Sequence, residues 1–208
     1  YDIVPFLKCR GIARVDALFI THADADHYNG LLALLESNVS VKKLILPDVK
    51  EELRTEKFGE IESTAQGFEL PVYYMSMGTV WQEGDTKFQC LHPSVEAKGM
   101  DMNEASLVLH VSYGEFSVLL TGDVSGQGEI LLAEQLQKQK IHEVTVLKVA
   151  HHGSRYSTTE NFLDVLSCKV AVISCGEGNQ YGHPAPELLS RLESKGVLIY
   201  RTDKAGCV

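Results

Sequence analysis

The residues from Thr21 to Gly30 read THADADHYNG, and they place four potential metal ligands within six positions. These ligands are two imidazoles and two carboxylates: His22, Asp24, Asp26 and His27. If strand alternation continues past Thr21, the first three point to one side of the chain and the fourth points elsewhere. Two ligand sets that diverge from one loop suit a pair of metal ions held a few ångströms apart. The alternative is a solvated acidic turn that contains histidines by chance.

An apolar run at residues 15–20 leads into this loop, and a second apolar run follows it at residues 31–35. This order predicts a buried strand, a tight polar loop and a helix. Folds of the α/β class place ligands and metals in such loops, at the carboxyl end of a strand. The loop is therefore a candidate site on positional grounds as well as by its composition.

Three further apolar runs end in a histidine or an aspartate beside a small or turn-forming residue. Residues 118–120 lead into Thr121-Gly122-Asp123, residues 144–150 into His151-His152-Gly153-Ser154, and residues 88–91 into His92-Pro93. One aspartate after a strand is usually a turn former or a helix cap. The recurrence of imidazole and carboxylate at four strand ends instead predicts a hydrolytic site for zinc, manganese or iron.

These motifs resemble those of the metallo-β-lactamase superfamily. The resemblance rests on the His22 loop, on Thr121-Gly122-Asp123 and on the box that runs from His151 to Ser154. The usual loop of that superfamily is His-x-His-x-Asp-His, and Asp24 occupies the second histidine position here. Together with Tyr181-Gly182-His183-Pro184, this replacement resembles the nuclease-like domain of the ComEC competence proteins. The resemblance covers nearly the whole chain.

The resemblance implies an α/β fold, an αββα sandwich of the metallo-β-lactamase type, in one domain over residues 1–208. It also implies that the first strands are missing, because the family opens with two strands and an Asp-Val-Gly-Gln-Gly-Asp motif before the position of Tyr1. Apolar patterning predicts strands at 15–20, 43–46, 71–75, 87–91, 106–112, 116–121, 144–149, 169–174 and 197–201. It predicts helices at 3–10, 29–37, 50–66, 125–138, 158–166 and 185–195.

The resemblance further implies two divalent metal ions, Mn²⁺ or Zn²⁺. One ion would be held by His22, Asp24 and His92, and the other by Asp26, His27 and one of the pair His151 and His152. Asp123 is the candidate for a carboxylate that bridges both. Two metals that share one water lower its pKa toward neutrality and so supply the nucleophile. Because Asp24 is a hard oxygen ligand, the site should favour Mn²⁺ over Zn²⁺.

Several roles stay open at the level of the sequence. His92, in Leu-His-Pro, fits a metal ligand or a structural hydrogen bond. His151 and His152 are adjacent, so one should ligate and the other should hydrogen-bond either a phosphate oxygen or a group that surrounds the metal ligands. His183 fits a helix cap or core position, a phosphate contact, or an acid for the leaving group. The residues assigned to catalysis are Asp26, Asp123, His152 and His183.

Four polar residues in the motifs are candidate substrate contacts: Lys148, Ser154, Asn103 and Ser106. Asn103 and Ser106 fit a turn and the start of a strand better than they fit a substrate contact. Basic residues in or near the C-terminal motifs form either a local basic rim or a set of scattered solvated charges; they are Lys148, Arg155, Lys195, Arg201 and Lys204. The formal net charge of −9 counts against a broad surface for nucleic acid.

The function predicted from these features is a metal-dependent phosphodiesterase or DNase domain of a competence protein for DNA uptake. The alternative is a small-molecule hydrolase that cleaves a lactone, thioester, lactam or phosphocholine ester. The expected partners are DNA, as a single strand or a duplex end, and a membrane channel domain. No apolar run approaches the ~20 residues that span a bilayer, so no membrane insertion by this chain is expected. The expected setting is bacterial, at the extracytoplasmic face of the membrane within a competence channel and otherwise in the cytoplasm.

Overall fold

A computed structural model of the chain describes residues 3–94 and 99–206. The chain divides into two compact units, residues 1–75 and residues 76–208. Each unit has its own sheets and helices. The single domain over residues 1–208 that the sequence suggested stays a prediction.

The first unit is built on short parallel strands. Its helices are α1 (Ile3–Cys9), α2 (Ala25–Tyr28), α3 (Gly30–Leu35) and α4 (Glu56–Gly67). Its strands are β1 (Arg14–Val15), β2 (Leu18–Phe19), β3 (Ser40–Val41), β4 (Leu44–Pro47) and β5 (Val72–Met75). A three-stranded parallel sheet has the order β2-β4-β5, and β1 pairs separately with β3. All four residues of β4 are buried, as expected of the central strand of a parallel sheet.

Two predictions for this unit need correction. The strand expected at 15–20 is interrupted at Asp16, whose carboxylate pairs with Lys42 and Arg14 at 2.7 and 3.3 Å. The segment therefore contributes β1 to one sheet and β2 to another. The helix expected at 50–66 begins only at Glu56, after a 3-10 turn at Glu51–Leu53 and an extended Thr55 at the N-cap.

The second unit contains a seven-stranded mixed sheet in the order β12-β11-β10-β9-β8-β7-β6. Its strands are β6 (Val80–Glu83), β7 (Thr86–His92), β8 (Val108–Tyr113), β9 (Phe116–Leu120), β10 (Glu143–Lys148), β11 (Ser167–Ile173) and β12 (Leu198–Arg201). The sequence patterning did not predict β6. This strand has four residues, which are mostly exposed and show little alternation. Strands β8 and β9 form a hairpin, since Tyr113 pairs with Phe116 and Gly114, in the turn between them, has a φ of 55°.

Strands β9 to β12 run parallel, and their registers align the carboxyl ends of these strands. Leu120, at the end of β9, pairs with Lys148 at the end of β10, which pairs in turn with Val172 in β11. The segments that follow β9, β10 and β11 therefore leave the sheet at one edge. This edge carries the second group of candidate site residues, as α/β architecture predicts.

The helices of the second unit are α5 (Gly126–Gln139), α6 (Glu160–Val165), α7 (Pro186–Ser194) and α8 (Thr202–Ala205). Leu132 and Leu136 of α5 share a buried core with Leu188 of α7 and the strand residues beneath them. Pro186 stands at the start of α7, where its missing N–H costs nothing. Within residues 3–94 and 99–206, no helix combines the length and the apolar character needed to cross a bilayer.

Glu129, on α5, anchors the segment that follows the His151-His152 box. Its buried carboxylate accepts hydrogen bonds from the Thr158 amide and, at 3.0 and 2.7 Å, from the Thr159 amide and hydroxyl. Burial raises the pKa of Glu129, but three donors stabilise the charged form. These bonds hold Thr158 at a φ of 47°, which a threonine rarely adopts. The turn after the His151-His152 box is thus held in place by a side chain of helix α5.

Candidate metal centre

The first group of candidate ligands lies between β2 and α3, with His22 and Asp24 in the loop after β2 and Asp26 and His27 on α2. The two imidazole rings of His22 and His27 have centroids 4.1 Å apart. The Nδ1 atoms of both rings face the hydroxyl of Thr21, at 3.0 Å from His22 and 3.3 Å from His27. One hydroxyl therefore orients both rings, and it leaves each Nε2 directed away from it.

Each of these imidazoles has a carboxylate near its Nε2 atom. The distance is 3.8 Å from His22 Nε2 to Asp24 Oδ2, and 3.7 Å from His27 Nε2 to Asp26 Oδ2. Both are too long for hydrogen bonds. Ligand atoms about 2.0–2.2 Å from a tetrahedral ion stand roughly 3.4 Å apart, so either pair can hold one cation after a small shift. The donor chemistry and the spacing of the loop therefore fit the metals that the sequence predicts.

Lys57, on α4, contacts the residue that replaces the usual histidine. Its ammonium donates a hydrogen bond of 2.9 Å to Asp24 Oδ1, and this bond raises the pKa of Lys57. The other carboxylate oxygen, Oδ2, is the one that faces His22. Lys57 thus holds Asp24 in an orientation that presents a single oxygen beside the imidazole.

We predict that Lys57→Met weakens Mn²⁺ binding about tenfold, because a partner that orients a metal ligand contributes roughly 10- to 100-fold in affinity. Lys57→Arg should restore most of the loss, since it keeps a donor at the same carboxylate. Isothermal titration of the metal-free protein with Mn²⁺ measures the effect. Equal or tighter binding in Lys57→Met would show that repulsion by the lysine charge exceeds its orienting effect.

The second group of candidates lies at the carboxyl edge of the large sheet. Asp123 follows β9 in a turn whose Gly122 has a φ of 54°. Its Oδ2 lies 3.2 Å from His152 Nε2, and its Oδ1 lies 3.5 Å from Lys148 Nζ. The side chain of Asp123 is only 5% exposed. Burial of a charged carboxylate is costly unless positive charge lies nearby. Lys148 and His152 are the groups beside this carboxylate that can carry such charge, and an environment of this kind also fits a metal ligand.

His152 is oriented by a backbone carbonyl on its other side. Its Nδ1 donates to Ser174 O at 2.7 Å, which leaves Nε2 as the lone-pair atom of the neutral ring. This arrangement is typical of histidines that bind metals. In the protein without metal, the hydrogen bond to Asp123 raises the pKa of His152, and burial opposes the rise.

His151 and His152 are consecutive residues with left-handed backbone, at φ values of 49° and 53°. Such residues carry strain that is typical of functional sites. Their rings are 6.4 Å apart and nearly perpendicular, so the two side chains diverge. The amide of His151 donates to Gly122 O at 3.2 Å, which ties this box to the turn of Asp123.

His151 lies beside His183, with ring centroids 6.0 Å apart. The Nδ1 atoms of both rings are buried and make no hydrogen bond to any residue in the described part of the chain. Buried polar atoms of this kind call for a partner. Burial, and then the nearby His151 and His152, lower the pKa of His183, so its ring is predominantly neutral at pH 7. A neutral ring favours a contact with substrate over the role of proton donor.

His92 has the structural hydrogen bond that the sequence left as an alternative. Its Nε2 donates to Glu104 O at 2.8 Å, and the residue is 1% exposed. That same carbonyl packs against Gly128 of α5, where a Cβ atom would approach it to 1.9 Å. The contact therefore joins β7, the 101–106 turn and α5. Metal ligation by His92 stays a prediction, and it would have to use the Nδ1 atom because Nε2 is already bonded to Glu104 O.

Burial lowers the pKa of His92 to about 4, below the ordinary value near 6.5 of an unfolded chain. The unfolded state therefore binds the proton more tightly, and stability falls as the pH drops from about 6.5 toward 4. We expect this one residue to contribute roughly 3 kcal/mol of that loss. Urea unfolding in EDTA, at pH 7 and at pH 4.5, measures it. His92→Gln keeps a donor for Glu104 but does not titrate, so its loss should be smaller; equal losses would refute the assignment.

The four predicted substrate contacts take part in hydrogen bonds within the protein. Lys148 Nζ donates to Gly122 O at 2.7 Å and braces the turn of Asp123. Ser106 is fully buried, and its Oγ accepts from the Asp123 amide at 3.1 Å. Ser154, 4% exposed, accepts from the Tyr156 amide within its own turn. Asn103 lies in the turn before β8, where its backbone carbonyl accepts from the Ser106 amide, while its buried side-chain Oδ1 has no hydrogen-bond partner among the described residues. These bonds favour bracing over substrate contact for Ser106 and Ser154, and the substrate roles stay predictions.

The basic residues near the C-terminal motifs are largely paired with acidic ones. Arg155 pairs with Glu187 at 3.1 Å, Lys195 with Asp164 at 2.6 Å, and Arg201 with Asp203 at 2.6 Å. Because their charges are locally compensated, these side chains form no uninterrupted basic rim. The alternative of scattered charges is therefore favoured.

Three residues that orient the site were not identified from the sequence: Thr21, Lys57 and Ser174. Thr21 directly precedes His22 in the sequence, so a hydrogen bond from its hydroxyl to a candidate ligand could have been predicted. Lys57 acts across a loop from a polar helix, and no spacing rule reveals such a pair. Ser174 acts through its backbone carbonyl, which leaves no trace in the residue type.

Comparison with known proteins gives the same family as the motifs. The sequence profile described as the metallo-beta-lactamase superfamily matches residues 5–177. ComE operon protein 3 of Bacillus subtilis is 35% identical over 99% of this chain and 26% of its own length. Recombination protein 2 of Haemophilus influenzae is 32% identical over 100% of the chain and 23% of its own length. The chain thus spans about a quarter of the length of these curated relatives.

Solved structures show the same fold at low identity. The metallo-beta-lactamase fold protein YhfI from Bacillus subtilis has a TM-score of 0.55 and 10% identity, over 96% of this chain and 80% of its own. CmlA, a diiron beta-hydroxylase from Streptomyces venezuelae, has a TM-score of 0.62 and 15% identity, over 91% of this chain and 44% of its own. The mixed α/β fold of metallo-β-lactamase type expected from the sequence is confirmed. The chain therefore belongs to the metallo-beta-lactamase superfamily, and its activity class is that of a metal-dependent hydrolase.

Proposed function

We propose that this chain is a metal-dependent phosphodiesterase that degrades DNA as a domain of a bacterial DNA-uptake protein. The observation that carries the proposal is the pairing of Asp123 with His152 at 3.2 Å, with His152 oriented by Ser174. This arrangement is suited to hold a metal beside a phosphate. The DNA-uptake role is supported by relatives such as Competence protein ComA of Neisseria gonorrhoeae, which is 31% identical over 99% of the chain.

Two divalent ions would supply Lewis acidity and an activated water, which makes a side-chain nucleophile unnecessary. We assign them to the loop ligands His22, Asp24, Asp26 and His27, and to Asp123 and His152. Of the adjacent histidines, His152 is the proposed ligand, because its Nε2 lies beside Asp123 and its Nδ1 is already bonded. His151 and His183 offer ring nitrogen atoms to the phosphate group, since their buried Nδ1 atoms have no partner within the described residues.

The hard carboxylate at position 24 supports a preference for Mn²⁺ over Zn²⁺. The loop presents two carboxylates with its two imidazoles. An oxygen-rich donor set of this kind suits Mn²⁺, whereas Zn²⁺ gains relatively more from nitrogen and sulfur. The metal preference belongs to the proposal.

A net charge of −9 and paired basic residues supply little long-range attraction for DNA. We therefore propose that a membrane channel domain, in the same or a partner protein, raises the local DNA concentration at this site. In that setting the domain would work at the extracytoplasmic face of the membrane.

Digestion of end-labelled single-stranded and duplex DNA tests the proposal. The chelated protein is assayed with Mn²⁺, Zn²⁺, Mg²⁺ or EDTA, beside a panel of lactone, thioester, lactam and phosphocholine ester substrates. We expect DNA cleavage that is fastest with Mn²⁺ and absent in EDTA. Intact DNA together with turnover of one of the small esters would replace the proposal with a small-molecule hydrolase. Faster cleavage with Zn²⁺ at equal occupancy would overturn only the metal preference.

A further inference from the structure

The aromatic rings near the second group of ligands form a series that ends at the surface. Ring centroids are separated by 6.4 Å from His152 to His151, 6.0 Å from His151 to His183, and 5.9 Å from His183 to Tyr181. The last two rings are nearly parallel, at 22°, and thus stacked. Tyr181 is 73% exposed, although one face of its ring stacks against the half-buried His183. The series connects the candidate ligand His152 to an open aromatic surface.

The turn that carries Tyr181 is held rigidly by one side chain. Asn179 Nδ2 donates to Gly176 O at 2.9 Å and to His183 O at 2.6 Å, and its Oδ1 accepts from the His183 amide at 2.9 Å. Gly182, at a φ of 67°, permits the tight return between the two rings. Tyr181 therefore has a defined position beside His183. The entropic cost of ordering this turn when a ligand binds is correspondingly small.

A second observation points to a binding position next to this ring pair. The Nδ1 atoms of His151 and His183 are buried and have no hydrogen-bond partner within the described residues. Polar atoms in such a position are commonly satisfied by a bound group. The ring of Tyr181 lies 5.9 Å from the ring of His183. A ligand that hydrogen-bonds to His183 therefore has its adjoining group close to Tyr181. That adjoining group must be flat and apolar if it is to use the exposed face of the phenol.

We infer that Tyr181 is a stacking platform for an unpaired nucleobase of the DNA strand whose phosphate is cleaved. The inference rests on the proposed phosphodiesterase function and narrows it to substrates with an unstacked base beside the reacting phosphate. Base stacking on an aromatic side chain is largely independent of sequence and needs no basic surface. It therefore supplies affinity where the charge of the chain does not. Asn179 is a positioning residue for this platform.

Steady-state cleavage of a single-stranded oligonucleotide by the Mn²⁺-loaded protein tests the platform. Tyr181→Ala should raise KM roughly 5- to 100-fold, as expected for loss of one stacked base. Tyr181→Trp and Tyr181→Phe should keep KM near that of the wild type. An oligonucleotide with an abasic site beside the cleaved bond should be cleaved equally by wild type and Tyr181→Ala. Tyr156→Ala is the matched control, because Tyr156 is 76% exposed but stands outside the ring series.

A binding measurement gives a readout that does not depend on turnover. In the Asp123→Asn background, which prevents cleavage, an oligonucleotide with 2-aminopurine at the same position should be quenched by the protein. The quenching should disappear with Tyr181→Ala and persist with Tyr181→Trp. Unchanged KM and unchanged quenching in Tyr181→Ala would overturn the inference while the nuclease proposal stands. Absence of DNA cleavage by the wild type would overturn both.

Discussion

Replacement of Asp123 by asparagine should reduce metal-dependent hydrolysis by at least roughly 1,000-fold, the effect of several kcal/mol lost from the reacting centre. Asp123 is 5% exposed and lies within 3.5 Å of both His152 and Lys148. Asparagine preserves the size of the side chain but removes its charge. The variant should therefore fold and yet hold less metal. Turnover under saturating metal, together with metal content by atomic emission, measures both effects.

The matched control for Asp123→Asn is Asp164→Asn. Asp164 is an aspartate on α6 that pairs with Lys195 at the surface. Because surface ion pairs contribute little, its replacement should leave rate and metal content unchanged. If Asp123→Asn keeps the metal content and the rate of the wild type, Asp123 is not a ligand, and the account of this edge of the sheet is wrong.

The second large effect is expected at His152. His152→Ala should lower turnover by roughly 100- to 1,000-fold, since the change removes a metal ligand and the partner of Asp123. His152→Gly should be equally inactive but more stable than His152→Ala by about 1 kcal/mol, because the residue has a φ of 53° that only glycine adopts without strain.

Thermal or urea unfolding of the two His152 variants measures this difference directly. It separates the chemical role of the imidazole from the cost of its backbone conformation. Alanine and glycine variants of equal stability would mean that the left-handed backbone at position 152 stores no strain. Activity retained by either variant would remove His152 from the site.

Much of the fold could be predicted because its strongest signals are local. The apolar run of β4 is short and continuous, the apolar residues of β7 and β9 are closely spaced, and polar residues follow each strand. The strands that escaped prediction, such as β3 and β6, are two or four residues long and carry exposed side chains. Their pairing depends on neighbouring strands, and a single sequence does not display such partners.

The candidate ligands were predictable for a similar reason. Metal binding requires particular residue types at strand ends, and these types are visible in the His22 loop and around Asp123. The environment of each ligand was not visible. The carbonyl of Ser174 fixes His152, and the carbonyl of Glu104 engages His92. A backbone acceptor can belong to any residue, so its role emerges only from the folded chain.

In the proposed reaction, a water molecule at a metal-loaded site supplies the oxygen that joins the phosphorus of a DNA phosphodiester, and the sugar oxygen leaves as a hydroxyl group. Cleavage of single-stranded DNA in water enriched in oxygen-18, followed by mass spectrometry of the released fragments, tests it most directly. The account predicts one oxygen-18 atom in the terminal phosphate for each bond cleaved when Mn²⁺ is present, and no labelled product in EDTA or with Asp123→Asn. Fragments without the label, or labelled fragments formed equally in EDTA, would contradict it.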